Sequence, residues 1–297
     1  MRGAKPGPRV VYGRIMRFPK HGNEPMRIAI LGGGTIARLF LEHIRRGDLG
    51  EGIQVAAICG RSPASAGAAL ASEFGVPFVV GVDALMATGP DVVIEAASHD
   101  AVREHLVRLL SARIAVIVLS GGALVDDRLR AAAESAAEAN GALLYVPSGG
   151  IGALDALKAA CIAGVDEATI QVAKPPAAWK KIEYVDAMGI DLDGLKEALV
   201  LFEGSAREGV PHFPQNVNIA AVLSMAGIGF DRTRLRVVAD PALTYNTHTI
   251  RIGGASGRIT IVLENVPAPE NPKTAWLACY SALAALKLMN SKVRYGT

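Results

Sequence analysis

From residue 26 onward, short apolar runs alternate with Ala-rich stretches whose apolar residues recur every three or four positions, which is the rhythm of strand–helix units. The runs predict strands over 27–31, 53–58, 78–80, 91–95, 115–119 and 142–146, and the periodic stretches predict helices over 36–46, 64–74, 101–112 and 126–140. Six strands joined by helical crossovers make an α/β fold with a doubly wound parallel sheet. After Pro147 the texture changes. The segment SGGIGALDALKAACIAG (148–164) opens with glycines and runs into a helix, and strands are expected over 167–174, 234–239, 247–253 and 257–265, with helices over 193–201 and 217–226. This reads as a second, α+β unit with antiparallel pairing. VPAPENP (266–272) breaks regular structure, and 273–289 reads as a final apolar helix of the kind that returns the chain to its first unit.

Composition narrows the class. Half of the 297 residues are hydrophobic and 20% are charged, the mixture of an ordinary globular protein. The net charge of +3 is concentrated at the start of the chain, where residues 1–25 hold six Lys/Arg against Glu24 alone, leaving 25 basic and 27 acidic groups in the remainder. No basic face is left for nucleic acid. The arm lacks an apolar run of signal-peptide length, and its prolines disfavour a transit helix, so it reads as a disordered extension with Met26 as an alternative start. The charge-free stretch 139–154 contains Pro147 and four glycines, whereas a bilayer-spanning helix needs about 20 mostly apolar residues. No membrane association is expected. Cys59, Cys161 and Cys279 lie far apart without CxxC spacing, which argues against disulfides and a metal site and fits a reducing cytoplasm.

The sharpest local signal is RIAILGGGTIARLF (27–40), in which Gly32, Gly34 and Ala37 fill the G-x-G-x-x-G/A pattern between a strand and a helix. Gly32 permits the tight turn, Gly34 lets backbone approach a pyrophosphate, and Ala37 lets the helix pack on the strand. The helix start at Thr35 and Ile36 offers unpaired N–H groups and a favourable dipole to the anion. In this setting the pattern marks a Rossmann-type dinucleotide site. The second strand, however, ends Ile58-Cys59-Gly60-Arg61-Ser62, without the acid that usually accepts hydrogen bonds from the ribose of NAD. Arg61 and Ser62 suit a 2′-phosphate instead, so the expected cofactor is NAD or NADP; the competing reading makes Arg61 a solvated helix-start residue.

Two later strand ends, EAASHDAV (95–102) and VLSGGAL (118–124), carry small residues where ligands dock on such sheets, which places Ala96, Ala97, Ser98, Ser120 and Gly121 beside the nicotinamide half. His99 reads as a surface histidine at a helix start. In the second half SGGIGALDAL (148–157), HFPQNVNIAAVLSMAG (212–227) and ADPALTYNTHTIRIGG (239–254) stand out, with AKPPAAW (173–179), GSAREG (204–209) and NPKTAW (271–276). Together with the glycine pattern, these ordered motifs resemble the L-aspartate dehydrogenase family from about Met26 to near the C-terminus.

The resemblance implies NAD(P)-dependent oxidation of L-aspartate to iminosuccinate, which water converts to oxaloacetate and ammonia or which feeds pyridine nucleotide biosynthesis. It implies that His248 is the active-site histidine and that Asn218 contacts the cofactor, as does Gly150, which stands where the family more usually has alanine. The chemistry agrees for His248: hydride leaves Cα only from an unprotonated amine, so a base titrating near neutrality is useful, and imidazole is the natural candidate. Asp240, eight residues earlier, is its possible orienting carboxylate. Lys174 and Lys273 are the expected partners of the substrate carboxylates. The expected division is a dinucleotide-binding domain at 26–148 completed by 268–297, and a catalytic and dimerisation domain at 149–267, assembled as a homodimer. The alternatives are another two-domain Rossmann reductase, disfavoured by the absence of a paired-histidine segment or an EKP motif, and a non-catalytic NADP sensor.

Overall fold

The computed structural model describes residues 24–214, 216–268, 271–291, 293 and 295, so the predicted disordered arm lies outside the described residues apart from Glu24 and Pro25. The first half alternates strands and helices: β1 (Met26–Leu31), α1 (Thr35–Arg46), β2 (Ile53–Gly60), α2 (Ala66–Phe74), β3 (Phe78–Val80), α3 (Val82–Ala87), β4 (Val92–Glu95), α4 (His99–Ser111), β5 (Ala115–Val118), α5 (Asp127–Asn140) and β6 (Leu144–Tyr145). The strands form one parallel sheet in the order β3-β2-β1-β4-β5-β6. Such a sheet is covered on both faces, which is why its strands read as unbroken apolar runs. On one face Ile28, Ile30 and Ile94 pack with Phe40 of α1 and Leu70 of α2; on the other, Ala29 and Val93 pack with Leu106 and Leu109 of α4.

The second half comprises α6 (Leu154–Ala163), β7 (Val165–Lys174), α7 (Glu183–Asp186), β8 (Leu199–Ser205), α8 (Ala206–Gly209), α9 (Asn218–Ala226), β9 (Arg234–Ala239), β10 (Asn246–Gly254), β11 (Gly257–Asn265), β12 (Pro267–Ala268), β13 (Asn271–Ala275) and α10 (Trp276–Asn290). A five-stranded sheet runs β11-β10-β7-β9-β8. Its pairings are antiparallel, as expected, except for β7 with β9, which run parallel and make the sheet mixed. One face carries the core, where Leu157 of α6 and Ala220 and Leu223 of α9 meet Ile170, Val172 and Ile250. Helix α10 leaves this region and buries Ala282, Leu286 and Met289 beside Phe40 in the core of the first sheet.

Two predicted helices change. Residues 193–201 do not form a helix: Asp191 Oδ1 accepts from the Asp193 N–H to close a turn, Asp193 pairs with Lys180, and from Leu199 the chain is an edge strand on β9. Leu195, Ala198 and Leu199 mimic helical spacing, but an available antiparallel partner outweighs that weak propensity. The final helix starts at Trp276 rather than 273, because 271–275 pairs with β12 as strand β13.

Candidate active site

The glycine turn follows from sterics. Gly32 has φ +114, and a Cβ there would lie 2.4 Å from the Ala96 carbonyl oxygen, so only glycine lets the turn nest against the end of β4. Gly33 packs onto α2: its Cβ would sit 2.3 Å from Gly67 backbone. Gly34 is different, since a Cβ there would meet nothing within 4 Å. Helix α1 begins at this open position with no capping side chain and no acid in its first turn. An anion fits here on the helix N-terminus, so the residues present suit the pyrophosphate of a dinucleotide.

Beyond the turn lies a cavity of about 670 Å³ between the C-terminal ends of the first sheet's strands and the second sheet. Gly34, Thr35, Ile36, Ala96, Ala97, Ser98 and Ser120 line one side, while Gly150, Lys174, Asn218 and His248 line the other. Asn218, opening α9, bridges the two sides. Its Oδ1 accepts from the Gly122 N–H at 3.0 Å and sits 2.8 Å from His99 Nε2. An oxygen already receiving one donor requires the hydrogen of His99 on Nε2, which leaves the Asn218 Nδ2 amide to donate to a bound molecule. His99 is therefore half-buried in the cavity wall rather than a surface residue, and burial, opposed by the Asn218 bond, holds it below the ordinary imidazole pKa.

His248 pairs with Val172 across the β10–β7 ladder, and the two-residue alternation of β7 puts Lys174 on the same face. The imidazole is 3% exposed. Its Nδ1 lies 2.8 Å from the Gly150 carbonyl oxygen, which also accepts from Asn265 Nδ2 at 3.0 Å. A carbonyl at that distance demands the hydrogen on Nδ1, so Nε2 carries the lone pair, buried and with no partner among the described residues. Burial, reinforced by the Lys174 charge and only partly countered by Gly150, pushes the pKa down to about 4. The expectation of a base titrating near neutrality is thus corrected: the ring is neutral throughout the physiological range. Lys174 is itself buried, with Nζ donating to Asn216 Oδ1 at 3.0 Å and lying 5.4 Å from the centre of the Trp179 ring. Trp179 is locked in the core by donating its indole N–H to the Val238 carbonyl.

Comparison with known proteins fixes the lineage. Residues 155–289 match the family described as "Aspartate dehydrogenase, C-terminal", and residues 32–147 match "Homoserine dehydrogenase, NAD binding domain". The L-aspartate dehydrogenase of Methanosarcina acetivorans is 40% identical over 273 residues, covering 92% of this chain and 100% of that protein. The chain belongs to the L-aspartate dehydrogenase family. L-aspartate dehydrogenase 2 of Bordetella pertussis is 43% identical over 88% of this chain and 96% of its own length. The crystal structure of the aspartate dehydrogenase of Thermotoga maritima aligns with a TM-score of 0.68 at 29% identity, covering 91% of this chain and 99% of that one.

Not every residue singled out in this family member reaches the cavity. Gly32 lies in the turn behind it, and Arg61 and Ser62 are exposed just beyond β2, outside its walls. Gly121 is buried behind the wall, where a Cβ would press on Val146, and Gly122 lines the cavity instead. Lys273 falls on β13 with its side chain outside the described part. Asp240 does not orient the histidine: its carboxylate accepts from the Ala242 N–H, and the Gly150 carbonyl does the orienting. Gly150 acts through that backbone oxygen, and an alanine Cβ would lie 3.3 Å from His248 Cε1, close but compatible with a small shift. Sequence reasoning missed Asn216, Asn265 and Glu95. The last had a signal, a lone acid ending the apolar run Val92–Glu95.

Proposed function

We propose that this chain catalyses the NAD(P)-dependent oxidation of L-aspartate to iminosuccinate, which hydrolyses to oxaloacetate and ammonia or is passed to pyridine nucleotide biosynthesis. The observation that carries the reading is the neutral His248 in the cavity wall, whose buried Nε2 lone pair has no partner among the described residues, beside the buried Lys174. The turn at Gly32 and Gly34, with Thr35 and Ile36, holds the pyrophosphate, and Arg61 and Ser62 meet the adenosine ribose or its 2′-phosphate. Ala96, Ala97, Ser98, Ser120 and Gly122, with Gly150 and Asn218, surround the nicotinamide half, Gly121 standing behind them. When bound, the nucleotide supplies the hydride acceptor. Lys174 pairs with one substrate carboxylate, Lys273 serves the other, and His248 Nε2 takes a proton from the substrate ammonium so that the amine lone pair can drive hydride departure from Cα.

The dinucleotide-binding domain comprises 26–148 with 268–297, and the catalytic domain comprises 149–267. The outer face of the second sheet supports a homodimer: Thr249 and Gln171 stand there beside Val262, which is 58% exposed. The cytoplasm, with thiols kept reduced, is the fitting compartment for three unpaired cysteines. The test is absorbance at 340 nm with L-aspartate and either cofactor. A substrate-dependent rise with one ammonia released per reduced nucleotide is expected. Cofactor binding without any such rise would make the protein a sensor instead.

A further inference from the structure

Glu95 closes β4 and is 2% exposed. Its Oε1 accepts from the N–H groups of Ala97 at 2.9 Å and Ser98 at 3.0 Å and from the Ser120 hydroxyl at 3.0 Å, while Oε2 accepts from the Ser120 N–H at 2.9 Å. These donors lie on the two loops that follow β4 and β5. Strand order reverses between β1 and β4, the switch point at which doubly wound sheets bind their ligand, and Ala97, Ser98 and Ser120 line the cavity there. His248 lines the same cavity from the second sheet, so the reacting ring has to lie between it and these loops.

The three backbone groups can only donate, and hydrogen bonds donated to a carboxylate favour its charged form. Burial nevertheless raises the Glu95 pKa, and the four donors offset that only in part. No Lys or Arg is among its hydrogen-bond partners in the described residues. A buried anion without a paired cation is unfavourable unless something positive comes close. The oxidised nicotinamide ring is a cation and the reduced ring is neutral.

We propose that Glu95 is a positioning residue that sets both loops at the reactive end of the cavity and, through its negative charge, favours the oxidised over the reduced nucleotide. This rests on the reading of the cavity as a nicotinamide site. A pure loop clamp predicts that weakening Glu95 loosens both forms alike, whereas a charge beneath the ring predicts a change in their ratio.

The test is fluorescence titration of wild type, Glu95→Gln and Glu95→Asp with the oxidised and reduced forms of NAD and of NADP, read on the pair that wild type binds. Glu95→Gln removes the charge at constant size, and its ratio of oxidised to reduced dissociation constants is expected to rise on the order of tenfold, as for a partly screened unit charge. Glu95→Asp keeps the charge, so it should weaken both forms while holding the wild-type ratio to within about twofold. An unchanged ratio in Glu95→Gln overturns the proposal. Should that variant fail to fold, loss of the ratio in Glu95→Asp overturns it equally. Wild-type protein that binds neither NAD(H) nor NADP(H) overturns the nucleotide reading as well, whereas wild type that binds both redox forms with an invariant ratio across the variants overturns this inference alone.

Discussion

Burial sets the chemistry of His248, and it also ties stability to pH. The unfolded chain protonates this ring near the reference value of about 6.5, whereas the folded ring resists until about 4. Between these values the unfolded state binds a proton that the folded state refuses. The sign is therefore fixed: stability from this group is complete above the unfolded value and is lost as pH falls toward the folded one. The loss amounts to about 3 kcal/mol, and urea unfolding at successive pH values should show it in wild type and a flatter slope in His248→Gln. Arg61 makes a second prediction. Removing its guanidinium should raise the Michaelis constant for NADP by about one to two orders of magnitude, from a charged hydrogen bond of roughly 1.5 to 3 kcal/mol, and leave that for NAD nearly unchanged. Equal effects on both cofactors would leave Arg61 a solvated residue.

At the scale of elements, the cavity is held by a cross-link among α4, α9 and the 3₁₀ turn Gly121–Val125, made by His99, Asn218 and Gly122. His99→Phe removes one of the two donors to Asn218 Oδ1, a neutral bond contributing about 1 kcal/mol, so cofactor affinity should fall by roughly fivefold with less effect on turnover. Asn218→Ala leaves two buried donors unpaired and should cost more; the reverse ranking in a titration would show that His99 does not act through Asn218. The strands and helices of the first sheet were legible because each apolar run ends at a glycine or a cap, as at Gly47, Gly75 and Asp126. The edge strand β8 was not, because its segment carries helical spacing and only the exposed edge of β9 decides between the two. The site was half legible. His248, Lys174 and Asn218 sit in distinctive motifs, whereas Asn265 acts through Gly150, 115 residues away, and His99 through Asn218, 119 residues away, contacts that no local pattern encodes.

For the whole molecule, the decisive feature is a chain that builds one sheet, crosses to a second, and comes back through α10 to finish the core of the first. His248 and the glycine turn thereby face one cavity although the second sheet contributes nothing to the turn. The basic arm carries a separate prediction. It offers little apolar surface to offset the ordering entropy of its backbone, so deletion of residues 1–25 should leave turnover and the proposed dimer intact in activity and size-exclusion measurements. A large loss of either would show that the arm covers an interface.

His248 is the proposed proton acceptor in a cavity whose nucleotide contacts lie elsewhere, and its most direct test is His248→Ala turnover set beside a cofactor titration of the same preparation. General base catalysis contributes typically about 10²- to 10⁴-fold, so turnover with L-aspartate should fall by that order while the dissociation constant for the nucleotide stays near wild type. A variant that keeps most of its turnover, or one that loses nucleotide binding in step with activity, would contradict the assignment.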